Sequence, residues 1–190
     1  MSSWVAKNGF LTQNEMRNNV LILYDFFARR GWTKQAMAAM FGNMEKESTI
    51  NPGIWESLRP YGGGFGLVQW TPYTKFSSWA GAGWETAYDK QPMRIQYELE
   101  NGLQWEDYRP GIATPGLTFE NLAYGDMEDL TFGQIVNAFM QHYENPYAPT
   151  ADLNGRIAAA ERWASFIHDF PTPVGGTIPI WMLFKIRVKG

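Results

Sequence analysis

The sequence predicts a mainly α domain over residues 1–170, broken by one short β-hairpin or loop flap, with a linker and apolar tail at 171–190. Three features predict it. Apolar residues recur at helical spacing through most of the chain, threonine capping signals stand just ahead of those runs, and a single glycine-rich aromatic stretch, Arg59 to Trp70, interrupts them. At 190 residues the chain fits one domain, since domains usually hold roughly 100–200 residues.

The elements follow in order. Thr12-Gln-Asn-Glu15 has the form of a capping box, in which hydroxyl and carboxylate each satisfy the other's orphan N–H. Behind it Met16, Val20, Leu23, Tyr24 and Phe27 mark one helical face, and Gly31 stands where such a helix ends. Thr33 caps a second helix with Met37, Met40, Phe41 and Met44 on one face; Asn51-Pro-Gly53 stops it after a last turn of Glu45 to Ser48. Thr71-Pro72 reads as a cap with proline at the first helical position, opening a short helix to about Ala80. Pro92 likewise opens one to about Gly102, Thr131 caps a run through Tyr143, and Asp152 precedes a run from about Gly155 to Phe170. Pro171 to Gly176 is a linker by composition, and Phe184 to Lys189 alternates apolar and basic residues as a strand does.

Composition excludes several classes of function. A net charge of −3 and no basic stripe longer than Lys185, Arg187 and Lys189 exclude nucleic acid as the main partner, because nothing is present to neutralise a row of phosphates. The chain has no cysteine, hence no disulfide framework, thiol nucleophile or thiolate metal site. His142 and His168 are too far apart for a paired-ligand motif, so no metal and no cofactor is predicted. Residues 1–16 show no apolar signal-peptide core, and residues 177–188 fall short of the roughly 20 needed for a membrane span; a soluble, non-secreted protein is expected. Aromatic residues make up 16% of the chain. Most belong in a core, while a few can line a groove that stacks on flat ligands such as sugars.

Other nucleophile and phosphate motifs fail. Gly62 to Gly66 lacks the Lys-Ser/Thr of a P-loop, and no Gly-x-Ser-x-Gly exists. Carboxylate chemistry beside rings remains, the equipment of glycan cleavage. Glu45 and Glu47, in the stretch GNMEKESTINPG, are the natural candidates. At about 100° per residue Glu47 falls within roughly 20° of Met40 and Glu45 within roughly 40° of Phe41, so both flank the apolar stripe and periodicity does not choose. A carboxyl in the last turn of a helix faces the negative end of the macrodipole, and partial burial also favours its protonated form, as a general acid requires.

The segment GWTKQAMAAMFGNMEKESTINPGIW followed by GFGLVQW resembles the lysozyme domain of tail-tip (tail knob) proteins of short-tailed bacteriophages. Glu47-Ser48 with Gly66-Leu67-Val68-Gln69 is more distantly similar to the Glu-Ser and Gly-Leu-x-Gln pairing of goose-type lysozymes and lytic transglycosylases, and the likeness extends loosely over residues 10–170. The resemblance implies an α+β lysozyme-like fold with the flap beside an active-site cleft. It implies cleavage of the β-1,4 bond between N-acetylmuramic acid and N-acetylglucosamine, with peptidoglycan glycan strands and other phage tail proteins as partners and the virion tail tip as the location. Glu47 then becomes the general acid, with Ser48 beside it, Gln69 on the flap and Tyr143 of FMQHYENP lining the cleft; Phe65, Trp70 and Tyr73 are candidate sugar-stacking rings. A second carboxylate is open among Glu56, Asp89, Glu98 and Glu144, and lytic transglycosylases manage without one. The alternative reading is a non-catalytic glycan-binding or structural tail protein that keeps the fold. No zinc-binding motif accompanies the domain, so peptidase activity is not expected.

Overall fold

In the computed structural model, residues 3–107, 112–125, 127–146 and 152–172 are described. Among them are seven α-helices: α1 (Gln13–Ala28), α2 (Lys34–Ser48), α3 (Thr74–Ala80), α4 (Lys90–Glu100), α5 (Phe119–Tyr124), α6 (Phe132–Ala138) and α7 (Leu153–Ile167). The tail strand expected at 184–189 lies outside the described residues.

The capping signals act as chemistry dictates. Thr12 and Glu15 form the reciprocal box that opens α1, Thr33 accepts from the Ala36 N–H at the start of α2, and Thr131 with Gln134 forms a second box ahead of α6. Each satisfies N–H groups that the helix itself cannot. The apolar stripe of α1 is buried as patterned, from Met16 through Phe27. Its end differs by a residue or two: Arg29 is the C-cap, and Gly31, at φ +85°, turns the chain just beyond.

Helix α2 is the axis of the molecule. Every residue from Ala36 to Met44 is buried, because α1, α5, α6 and α7 pack around it. The tightest of these contacts is with α7 at Gly42. A Cβ placed there would lie 2.6 Å from Ala160 Cβ and 2.7 Å from the Arg156 carbonyl oxygen, closer than non-bonded atoms approach, so only glycine lets the two helices meet.

Three expectations are corrected. The Thr71–Pro72 bond is cis and Pro72 precedes α3, which begins at Thr74 behind Tyr73; the Thr71 hydroxyl instead donates to the Gln69 carbonyl. Pro92 is the third residue of α4 rather than its opener, a first-turn position where a missing N–H costs nothing. The run from Thr131 to Tyr143 is not one helix: α6 ends at Ala138 and a π-helical turn occupies Phe139–Glu144, closed by Asn145 at φ +51°. The stretch Arg59 to Trp70 takes the loop form of the flap. Among the described residues it makes isolated bridges, Trp55 to Phe65 and Phe65 to Trp70, and no strand. Helix α5, capped by Thr118, was not expected from the spacing.

Candidate active site

Helix α2 delivers its last turn to one wall of a cleft of about 660 Å³. The chain reverses directly afterwards, with Thr49 and Ile50 at φ 54° and 53°. The flap forms the opposite wall and is fastened from behind at two points. Ser48, buried at the end of α2, donates from Oγ to the Leu67 carbonyl at 2.7 Å. Gln91, buried on α4, accepts from the Leu67 N–H at 2.9 Å and donates to the Pro52 carbonyl at 2.6 Å. Gly66 lies so close to the Gln91 amide that a Cβ would sit 2.5 Å from its oxygen. The Glu-Ser and Gly-Leu-x-Gln segments therefore belong to one device: serine and leucine join the helix end to the flap, and glycine makes the approach possible.

The two glutamates of α2 part company here. Glu45 accepts from Arg162 Nη2 at 2.6 Å and from the Trp163 ring N–H at 2.7 Å, both on α7, and does not line the cleft. Glu47 lines it, with its side chain 23% exposed, and accepts from Arg156 Nη2 at 2.5 Å. The other guanidinium arm of Arg156 donates to Asn43 Oδ1 at 2.9 Å, one turn back on α2. Glu47 is thus held from α7 while its open side faces the cavity.

Among the rings and polar groups expected in the cleft, Gln69, Trp70 and Tyr143 do line it. Gln69 stands at φ 49° and its amide donates to the Gly66 carbonyl at 2.9 Å. Trp70 is buried, stacked on Phe76, and its ring N–H donates to Glu98 Oε1 at 3.0 Å. The Tyr143 hydroxyl donates to the other oxygen of Glu98. Ser48, Phe65 and Tyr73 do not line the cavity. Ser48 fastens the flap, Phe65 is buried against Trp55, Phe76 and Trp84, and Tyr73 stacks on Trp84 at 5.5 Å. Those rings hold the flap's shape by packing on one another.

The remaining carboxylates sort by position. Asp89 accepts from the Trp4 ring N–H at the start of α4 and is not in the cleft. Glu98 is fully buried behind Trp70 and Tyr143, with Arg94 also on it at 2.8 Å; burial pushes its pKa up, against the pull of Tyr143, Arg94 and Trp70. Glu56 lines the cleft from the flap side and is exposed, with Oε2 taken by the Gly64 N–H at 2.8 Å. Glu144 also lines it, at the end of the π turn. Burial, and next the charge of Glu47, push its pKa well above the glutamate range, while Arg156 pulls the other way.

Sequence reasoning missed three groups. Arg156 came from a helix read only for its extent, about Gly155 to Phe170. Glu106 and Asn145 line the cleft, joined by an amide-to-carboxylate bond of 2.5 Å across 39 residues. No local pattern marks a pair so distant, and the π turn that presents Asn145 has no periodic signature.

A buried central helix whose last turn directs a glutamate into a cleft of about 660 Å³, across from a loop flap, defines a lysozyme-like protein. Comparison with known proteins makes the assignment specific. The sequence pattern of the phage tail lysozyme family matches residues 18–167, and the chain belongs to that family. It is 36% identical over 162 residues to morphogenesis protein 1 of Bacillus phage B103. The match covers 83% of this chain and 41% of that relative, so the chain spans less than half the length of the curated protein it matches. Among the described residues, no three His, Cys, Asp or Glu side chains are grouped to hold a metal, and no helix is long and apolar enough to cross a membrane.

Proposed function

We propose that this phage tail lysozyme is a peptidoglycan glycosidase, carried at the virion tail tip, that cleaves the β-1,4 bond between N-acetylmuramic acid and N-acetylglucosamine. Glu47 serves as the general acid that protonates the departing glycosidic oxygen. The observation that carries this reading is the divergence of the two α2 glutamates: Glu47 faces the cleft opposite the flap, while both Glu45 oxygens are engaged by α7. Gln69 offers donors and acceptors to sugar hydroxyls or an N-acetyl group, and Trp70 and Tyr143 give the cleft aromatic wall. Ser48, Phe65 and Tyr73 serve the same substrate indirectly, by holding the flap against α2.

Release of soluble sugars from purified cell walls tests this directly. Glu47→Gln should lose activity by about 10²–10⁴-fold, the usual contribution of a positioned acid, while Glu45→Gln keeps it. Wall clearing by Glu47→Gln at the wild-type rate would remove Glu47 from the mechanism. A wild-type protein that binds walls of several types and releases nothing would establish the glycan-binding reading instead.

A further inference from the structure

On the glycosidase reading above, we infer that Glu144 is the second carboxyl of the reaction, the base that takes a proton from the attacking water, and that the chain is therefore a hydrolase rather than a former of 1,6-anhydro ends. Four carboxyls line the cleft: Glu47, Glu56, Glu106 and Glu144. Glu56 is committed to the flap through the Gly64 N–H and Glu106 to Asn145. Glu144 alone carries an oxygen, Oε1, that is buried and without a hydrogen-bond partner among the described residues. The next residue repeats the feature, since Asn145 Oδ1 is also buried and unpartnered while its Nδ2 is fixed on Glu106. Buried acceptors are normally satisfied. Both residues line the cleft, and a water that donates to Glu144 Oε1 keeps its lone pairs free for attack. The π turn places them: π turns inserted in helices recur at functional sites, and this one sends Tyr143 inward to Glu98 and Glu144 into the cleft.

Burial, and next the charge of Glu47, raise the proton affinity of Glu144, and Arg156, bonded to Glu47, lowers it. The reaction requires Glu47 protonated and Glu144 ionised, and Arg156 is the group that draws Glu144 toward its carboxylate form. The bond between C1 of the muramic acid and the glycosidic oxygen breaks as that oxygen receives the Glu47 proton. The water oxygen bonds to C1 from the opposite face, and its proton passes to Glu144. Transfer of that proton back to Glu47, directly or through solvent, restores the enzyme with one water consumed.

Mass spectrometry of the sugars released by the full chain provides the test. Wild type should give only hydrolysed reducing ends. Glu144→Gln should fold, by circular dichroism, and hydrolyse about 10²–10⁴-fold more slowly. Glu144→Ala with added azide should regain turnover and yield a glycosyl azide of inverted configuration, which a merely structural role would not produce. Anhydro ends from wild type, hydrolysis by Glu144→Gln at the wild-type rate, or no azide product would each overturn the inference. If these occur while Glu47→Gln is inactive, the glycosidase reading stands and only the role of Glu144 falls. An inert wild type, or an active Glu47→Gln, removes the reading itself.

Discussion

Two residues apart on α2, Glu45 and Glu47 leave opposite flanks of the same apolar stripe, and each meets a different arginine of α7. Glu45 is the structural one. Its side chain is 11% exposed and joins Arg162 and Trp163, so Glu45→Gln should lower stability by about 1–2 kcal/mol, the cost of weakening a charge-assisted buried acceptor, and leave activity per folded molecule unchanged. Chemical denaturation with a parallel wall assay checks both halves. Glu144 behaves differently because burial, and next the charge of Glu47, make the carboxylate form it uses as a base costly to the fold. Its proton affinity in the folded state exceeds that of the unfolded chain, so below the ordinary glutamate value of 4.5 it imposes no penalty, and as pH rises from there the folded state loses stability. Glu47 and Glu98 push in that direction and Arg156 opposes them. Glu144→Gln should therefore gain stability over wild type progressively above pH 4.5 and show no such gain at pH 4, read as melting temperatures across that range. A gain largest at pH 4 would contradict the burial of this carboxyl. At this scale helix periodicity left Glu45 and Glu47 level, the family resemblance alone chose Glu47, and four partner carboxylates stayed unranked. What separates them is contact with α7 and the π turn, more than 90 residues away, and residue spacing carries no record of that.

Elements explain why the family motif has its spacing. Ser48 ends α2 and Leu67 begins the inward run of the flap; one hydroxyl joins them across 19 residues. Ser48→Ala should cost about 1–3 kcal/mol for the buried carbonyl it strands, and it should lower kcat through misplacement of Gln69 and Trp70 even though residue 48 lies outside the cleft. Retained kcat with lowered stability would confine Ser48 to folding. Gly42→Ala tests the other major junction. The added methyl meets the Ala160 methyl and the Arg156 carbonyl, so α2 and α7 must separate, at about 1–3 kcal/mol or more for overpacking. The same displacement moves Arg156 relative to Glu47, so stability and activity should fall together. Helix starts were legible because a threonine hydroxyl and a glutamate or glutamine three residues on are local chemistry, as at Thr12 and Thr131. The α6 run was legible only up to Ala138: a π turn shifts hydrogen bonding to i→i+5 without changing which residues are apolar. Six-residue α5 is too short for periodicity to register, and its Thr118 cap alone did not identify it.

At the scale of the whole molecule, every residue described in the cleft lies between Phe10 and Pro146, and the arginine that holds Glu47 is residue 156. Among the described residues α7 is the last helix, and Phe170 and Pro171 just after it are secured on α1. Phe170 packs edge-on against Tyr24 at 5.1 Å and against Phe166 at 5.2 Å, while the Tyr24 hydroxyl donates to the Pro171 carbonyl at 3.1 Å. Packing on α1 therefore extends to Pro171, because removing it would leave the buried Tyr24 hydroxyl without its shorter bond. We therefore predict that a chain ending at Thr172 folds, melts within a few degrees of the full chain and clears cell walls at the same rate per molecule. A chain ending at Ile167 should be distinctly less stable, since it exposes the faces of Tyr24 and Phe166 that Phe170 covers. If the tail from Thr177 to Gly190, with apolar and basic residues alternating over Phe184 to Lys189, attaches the domain to other tail proteins, the Thr172 truncation keeps its wall activity but is missing from assembled particles. Thermal melts, wall assays and particle composition on the same two truncations separate a catalytic body with an attachment tail from a fold that needs its tail to stand.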